Sequence, residues 1–413
     1  MDQKISIRDE LQEQAVIVFH PFGVYEGDSA EEFTIGRLDT SEYIVLESDA
    51  LELMNKLNDG YTVGQVLEAY REYELTPEDV HDFIVHLAEA NFVHRINGKL
   101  ISETMAEPKF KKRKENRFVS RFFFNRAAWS FYALCLLGIF LLLYADPALR
   151  PKGADLFISE SGVLSFLFIL VGTWVVVFIH EFGHVFAARK VGLDGKINWG
   201  YRTVLLVIET DVSDIYSVPR RDRYAVYLGG LAWTCTAVFL MMAVQWLPLS
   251  ELWMRIARFF VLLQMQTFVM QFLFFMKTDL YFAVANYFKS DFLNEKFTAL
   301  MRDLLVLKIK NIKQTFREWD EQERKLVKAY TAYNIAGVLI AIYLFAVIDI
   351  PVILEYLDRS LNKMLEAPLF SLAYWDGIAL GTLVLNPLVI LIVYVIRDLI
   401  QARKAKQNVT WVQ

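Results

Sequence analysis

A chain of 413 residues is long enough for two or three domains, and 55% hydrophobic and 15% aromatic content with a mean hydropathy of +0.31 points to an integral membrane protein. The net charge of −5 hides a split: residues 1–106 hold 22 Asp and Glu against 7 Lys and Arg, the remainder 26 against 36, so an acidic front precedes a basic membrane part. Only Cys135 and Cys235 occur, both in apolar runs, which excludes a disulfide framework and a CxxC metal site, and the polar, mixed first hundred residues show no cleavable signal peptide.

Residues 1–105 read as a small soluble α+β domain. AVIVFH (15–20), EEFTIG (31–36) and SEYIVLE (41–47) are short β-type runs. DALELMNKL (49–57) changes to a helical period. A second helix opens at Thr62 with Gln65 three residues on, a capping-box spacing. A third opens at Thr76, with Pro77 in the first turn and Asp79 three residues after the cap, and carries Val80, Phe83, Ile84, Leu87 and Ala88 on one face. Asn97-Gly98 between two apolar runs signals a type I′ hairpin. Strands, three short helices and a closing hairpin make a winged-helix pattern. Its acidity argues against nucleic acid, which needs Lys and Arg against phosphates. An acidic module suits a basic peptide, taken up by strand addition to a β-edge.

A linker, 106–126, follows. Eight Lys and Arg lie between Lys109 and Arg126, a juxtamembrane stop on the cytoplasmic side that anionic lipid attracts. Six apolar segments come next, at about 127–145, 163–188, 224–247, 254–277, 329–349 and 376–396, each near the length a helix needs to span a bilayer. Loops 189–223 and 280–328 and the tail after Arg397 are rich in Lys and Arg; loops 146–162, 248–253 and 350–375 are not. The alternation predicts six spans with both termini in the cytosol. The fold expected is mainly α, a polytopic membrane protein with a membrane core over 127–290, a cytosolic loop over 291–328, and two further spans and a basic tail over 329–413. The 350–375 loop reads as an amphipathic helix on the outer surface.

The second span contains VFIHEFGHVFAARK, in which His180 and His184 stand one helical turn apart. Ionisable groups in a membrane-length segment are costly and are functional candidates by default. Two imidazoles at this spacing can hold one zinc ion, and Glu181 beside the first can serve as base toward the attacking water. The competing reading is two core histidines paired with Glu181. A catalytic zinc takes a third protein ligand. His20, His81, His86 and His94 all fall in the front domain, which leaves Asp279, at the cytosolic end of the fourth span, as the best candidate; its alternative is an interfacial pair with Lys277.

HEFGH on the second of several spans, with a later Asp, resembles the site-2 protease type intramembrane zinc metallopeptidases. The resemblance implies zinc on His180, His184 and Asp279, with Glu181 as general base. It extends over DVSDIYSVPRRDRYAVYLGG (211–230), where Gly229 and Gly230 match the family's small residues and Leu231 replaces its usual Pro. The second motif departs further: Gln271 and Phe274 stand where the family favours Asn and Pro, and Asp279 is followed by Leu280 rather than Gly. Gln271 and Gly230 are the expected substrate contacts. The front domain resembles the PqqD-like module that recognises leader peptides of ribosomally made, modified peptides. Its fusion to such a peptidase resembles the peptide zinc metalloproteases of bacterial peptide-maturation and bacteriocin systems. The implied partners are a precursor peptide or membrane-protein substrate, the bilayer, and a transporter or modifying enzyme. Two alternatives stand beside this: a site-2-type protease that releases a membrane-anchored regulator, and a non-catalytic peptide-binding or immunity protein with structural zinc.

Overall fold

The computed structural model describes residues 7, 10–26, 31–40, 42–71, 75–103, 118–202, 205–290, 293–305, 319 and 321–409. Most of the basic linker (104–117) and part of the expected cytosolic loop (291–292, 306–318 and 320) lie outside the described residues. The chain divides into two compact units.

The first comprises 1–117, 188–195 and 211–224. Strands β1 (Ile17–Phe19), β5 (Val93–Ile96) and β6 (Lys99–Leu100) form one antiparallel sheet in the order β1-β5-β6; β2 (Phe22–Glu26), β3 (Glu32–Arg37) and β4 (Tyr43–Glu47) form another in the order β2-β3-β4. Helices α1 (Ser48–Asn58), α2 (Val63–Ala69) and α3 (Pro77–Glu89) lie between β4 and β5 in sequence. Both capping boxes form. Gln65 N–H donates to Thr62 Oγ1 at 3.3 Å while Thr62 N–H donates to Gln65 Oε1 at 2.9 Å; Thr76 and Asp79 exchange the same pair at 3.2 and 3.0 Å. Asn97 and Gly98 have φ of 50° and 78°, the two positive values a type I′ turn requires. Strand β2 went unread in the sequence because Pro21 and Gly23 interrupt its pattern. Ile17, Ile35, Met54, Leu57, Ile84 and Phe92 close a core almost free of solvent. The segment 211–224 belongs to this unit, and Tyr43 OH donates to Asp214 Oδ1 at 3.1 Å.

The second unit comprises 118–187, 196–210 and 225–413. It holds α4 (Phe118–Phe123), α5 (Arg126–Ala145), most of α6 (Gly162–Val191), a two-stranded ribbon of β7 (Lys196–Arg202) and all but the last residue of β8 (Leu205–Asp211), then the end of α7 (Arg220–Tyr227), α8 (Gly229–Val244), α9 (Glu251–Met270), α10 (Asp279–Tyr287), α11 (Leu293–Leu305), α12 (Glu321–Leu344), α13 (Ile350–Glu366) and α14 (Leu372–Val409). The protein is mainly helical with a small β region at its N-terminal end. Among the described residues, four helices are long and apolar enough to cross a membrane: Arg126–Ala145, Gly162–Val191, Arg220–Val244 and Glu321–Glu366.

Two expectations change. The segment 254–277 is no unbroken helix: α9 carries Glu251, Arg255 and Arg258 on its first two turns and stops at Met270, and the chain passes through a single 3₁₀ turn (Phe274–Met276) before α10 begins. Asp279 therefore opens a new helix instead of closing a span. The 350–375 segment is not a separate loop: α12 and α13 run on as one helix of 46 residues. A π-helical turn, Phe345–Asp349, joins them. Pro351 explains it, because a proline has no N–H for the carbonyl four residues back and its ring pushes that turn wider. Packed against α14, α13 turns Tyr356 and Ser360 inward, and Ser360 Oγ donates to the Gly377 carbonyl at 2.7 Å.

Candidate metal centre

His180 and His184 project from the same face of α6, both buried. Their Nε2 atoms are 3.2 Å apart. Asp279 Oδ2, from the first turn of α10, lies 2.8 Å from His180 Nε2 and 3.1 Å from His184 Nε2. Ninety-nine residues of sequence separate His180 from Asp279, so this is a tertiary meeting of side chains. Glu181 brings a carboxylate oxygen within 4.8 Å of the histidine nitrogens.

Close packing makes the meeting possible. Gly183 faces α8: a Cβ there would stand 2.3 Å from the Gly229 carbonyl oxygen, so only glycine admits this helix contact. One position on, a Cβ on Gly230 would lie 2.4 Å from His184 Nε2 and 2.6 Å from His180 Nε2. Gly230 thus keeps clear the space in front of both imidazoles.

The other ring nitrogens are held. His184 Nδ1 is 2.8 Å from the Val226 carbonyl, which can only accept, so Nδ1–H donates and Nε2 of the neutral ring presents a lone pair. His180 Nδ1 is 3.0 Å from the fully buried Thr234 Oγ1. Gln271 holds the carboxylate: its Oε1 accepts from Asp279 N–H at 3.1 Å, and its Nε2 donates to Asp279 Oδ2 at 3.1 Å. Thr278 Oγ1 closes the loop by donating to the Gln271 carbonyl at 2.7 Å. Lys277, at φ 53° in the left-handed region, makes the turn that brings Asp279 round.

This donor set fits zinc. Two imidazole nitrogens and a carboxylate oxygen aim acceptors at one point, and their separations of 2.8, 3.1 and 3.2 Å approach the roughly 3.3 Å edge that tetrahedral ligands about 2.0 Å from zinc make with each other. Both rings are fixed at their remaining nitrogen, as metal-binding histidines are. Glu181 has one carboxylate oxygen engaged elsewhere: its Oε2 accepts from Thr210 N–H and from Thr210 Oγ1, each at 2.8 Å. A cleft of about 340 Å³ opens on the group, with Thr173, Trp174, Thr267 and Glu209 among its walls.

All six residues singled out in the sequence stand in this one place. Gln271, expected on substrate, spends its carboxamide on Asp279; Gly230, expected likewise, lines the space before the imidazoles. The sequence reading missed Thr210, Thr234 and the Val226 carbonyl. The β-branched run LLVIET, close after KINWGYR, carried a strand signal that would have pointed to the first. One of two Thr in an apolar run, Thr234 beside Thr236, was the only mark of the second, and a backbone carbonyl leaves none. None of the protein-family models, curated proteins or solved structures compared with the chain matches it.

Proposed function

We propose that the protein is a zinc-dependent intramembrane endopeptidase that cuts a peptide or membrane-associated precursor, in the maturation or export of a ribosomally made, modified peptide. The observation that supports this reading is the convergence of His180, His184 and Asp279, with Glu181 beside them and hydrogen-bonded to Thr210. His180, His184 and Asp279 would hold the ion. When bound, zinc supplies Lewis-acid chemistry: a polarised scissile carbonyl and a water made acidic near neutral pH. Glu181 takes a proton from the attacking water and hands it to the leaving amine. Gln271 keeps Asp279 turned inward, and Gly230 leaves room for a peptide backbone at the imidazoles. That backbone cannot stay unpaired in hydrocarbon, so a substrate segment unwinds only where protein groups satisfy it.

The proposed setting is a bacterial plasma membrane crossed six times, with both termini cytosolic; the Lys and Arg alternation among the loops supports it. The acidic front domain, in this reading a PqqD-like module, offers strand edges for a precursor peptide and raises its concentration at the membrane. A transporter or modifying enzyme would act on the same precursor.

Metal analysis of the purified full chain tests the centre. Wild type should hold one zinc, and His180→Ala and Asp279→Ala should lose it. Glu181→Gln should keep the zinc and lose cleavage by about 10²–10⁴-fold, the share general acid–base catalysis commonly supplies. Metal-free wild type, or equal cleavage by Glu181→Gln, would sink the proposal.

A further inference from the structure

We infer that Thr210, near the end of β8, is a positioning residue for Glu181; the inference rests on the endopeptidase reading of the centre. Thr210 is 29 positions from Glu181 in sequence and presents two donors to one oxygen. Its N–H and its Oγ1–H each stand 2.8 Å from Glu181 Oε2, and Oγ1 also lies 3.2 Å from the Glu181 carbonyl oxygen. A glutamate on a helix has three side-chain torsions to settle, and its ordinary course is to point along the helix surface. Two charge-assisted hydrogen bonds to one oxygen fix those torsions.

The result is selective. The carboxylate stays within 4.8 Å of the histidine nitrogens, yet Oε2 is committed to Thr210. Asp279 fills the third position instead, with Oδ2 in contact with both rings. Thr210 therefore engages one Glu181 oxygen while Asp279 contacts both rings, so the two carboxylates are placed differently, Asp279 for ligation and Glu181 to act as base. It also makes the place of the β7–β8 ribbon a determinant of whether the base is aimed. Proton balance is unaffected: the carboxylate accepts one proton from water and returns it to the leaving nitrogen, while both Thr210 donors keep theirs.

The experiment uses the full chain in detergent, with a pool of bilayer-length apolar peptides as probe and mass spectrometry to count new termini. Thr210→Val keeps the shape and the backbone N–H but removes the hydroxyl donor. It should retain zinc and thermal stability, hold KM within about twofold, and lower kcat about 10- to 100-fold, a part of what the base contributes. Thr210→Ser restores the donor and should recover most of kcat. Wild-type kcat in Thr210→Val overturns the inference. So does loss of zinc or of thermal stability in step with activity, or failure of Thr210→Ser to recover. Glu181→Gln, run in parallel, separates the two levels: if it cleaves as wild type does, the endopeptidase reading falls and the role of Thr210 with it; if it is inactive while Thr210→Val is normal, only the inference falls.

Discussion

The two units of this chain solve opposite solvent problems. In the first, Ile17, Met54, Leu57 and Ile84 are fully buried in one apolar core. In the second, α5 turns Leu134, Leu137, Leu141 and Tyr144 outward along one stripe, while His180, His184, Thr234, Gln264 and Gln271 are buried. Water expels apolar side chains; hydrocarbon has no such preference and instead penalises polar groups. The second unit therefore gathers a set of polar groups inside, where His180, His184 and Gln271 meet one another. A reactive cluster is a natural use of such an interior.

The sharpest way to break this comparison is to make the same change in both units. Ile84→Ala, at 0% exposure in α3, should cost about 2–5 kcal/mol, because it removes buried methyl groups and leaves a cavity. The urea midpoint followed at the Ile17 methyl resonance of the full chain reads it. Leu137→Ala, at 55% exposure in α5, should change folding in detergent by under about 0.5 kcal/mol. Leu137→Arg should instead raise the apparent insertion free energy of the α5 segment by about 3 kcal/mol in a glycosylation-mapping assay. If Leu137→Ala destabilised as much as Ile84→Ala, α5 would not face lipid.

Backbone proximity is the second axis. The first unit fills its interior with side chains, whereas the second brings helices together until their backbones touch. Gly183→Ala would force a methyl to 2.3 Å from the Gly229 carbonyl oxygen, and overpacking of this kind costs about 1–3 kcal/mol. Because the same contact seats both histidines, zinc occupancy should fall together with thermal stability. A stable Gly183→Ala protein with full zinc would show that α6 and α8 can part without disturbing the centre.

Smaller again is the effect of a cap. Thr76 accepts from Asp79 N–H at 3.2 Å, and Thr76→Ala should weaken the first unit by about 1 kcal/mol, read from the urea midpoint at the Ile84 methyl.

What could be read from the sequence follows the same division. Caps, the Asn97-Gly98 turn and the α3 face were legible because local rules in water act over three or four residues. His180 and His184 were legible for the same reason, since one turn of helix carries them both. Apart from the family resemblance, Asp279 could be suspected only as an ionisable group near a span, because its meeting with His180 depends on the break after Met270 and on Lys277 taking a left-handed conformation. Neither the break nor the π turn before Pro351 shows in hydropathy, which averages over windows longer than either. The ribbon at 196–211 was hidden by a reading of that stretch as a basic loop. Thr210 was hidden with it.

The last and smallest effect concerns a buried polar cluster in the first unit, where His20 lies beside Arg37 and Asp39. His20 is buried between β1 and β2, with its ring 4.8 Å from that of His94. Ser102 Oγ donates to the Val93 carbonyl at 2.7 Å, so at 2.6 Å it accepts from His20 Nε2–H. That leaves Nδ1 to take any second proton, 3.9 Å from Asp39 Oδ2. Asp39 is already paired with Arg37 at 2.9 and 2.7 Å, and Glu42 also faces Arg37 at 3.1 Å. Burial first, and then the Arg37 charge, hold the His20 pKa below its usual 6.5, with Asp39 only partly offsetting them. Because the folded value lies below the unfolded one, the unfolded chain binds the proton first as pH falls. Stability of this unit should be full above the ordinary histidine value and should decline as pH drops through 6.5 toward the lowered value. The urea midpoint at the Ile17 methyl, measured from pH 7.5 to 5 against His20→Gln, checks the sign: wild type should lose stability relative to the variant on acidification. A wild type that gained stability on that path would mean the Asp39 carboxylate, not burial and Arg37, governs the ring.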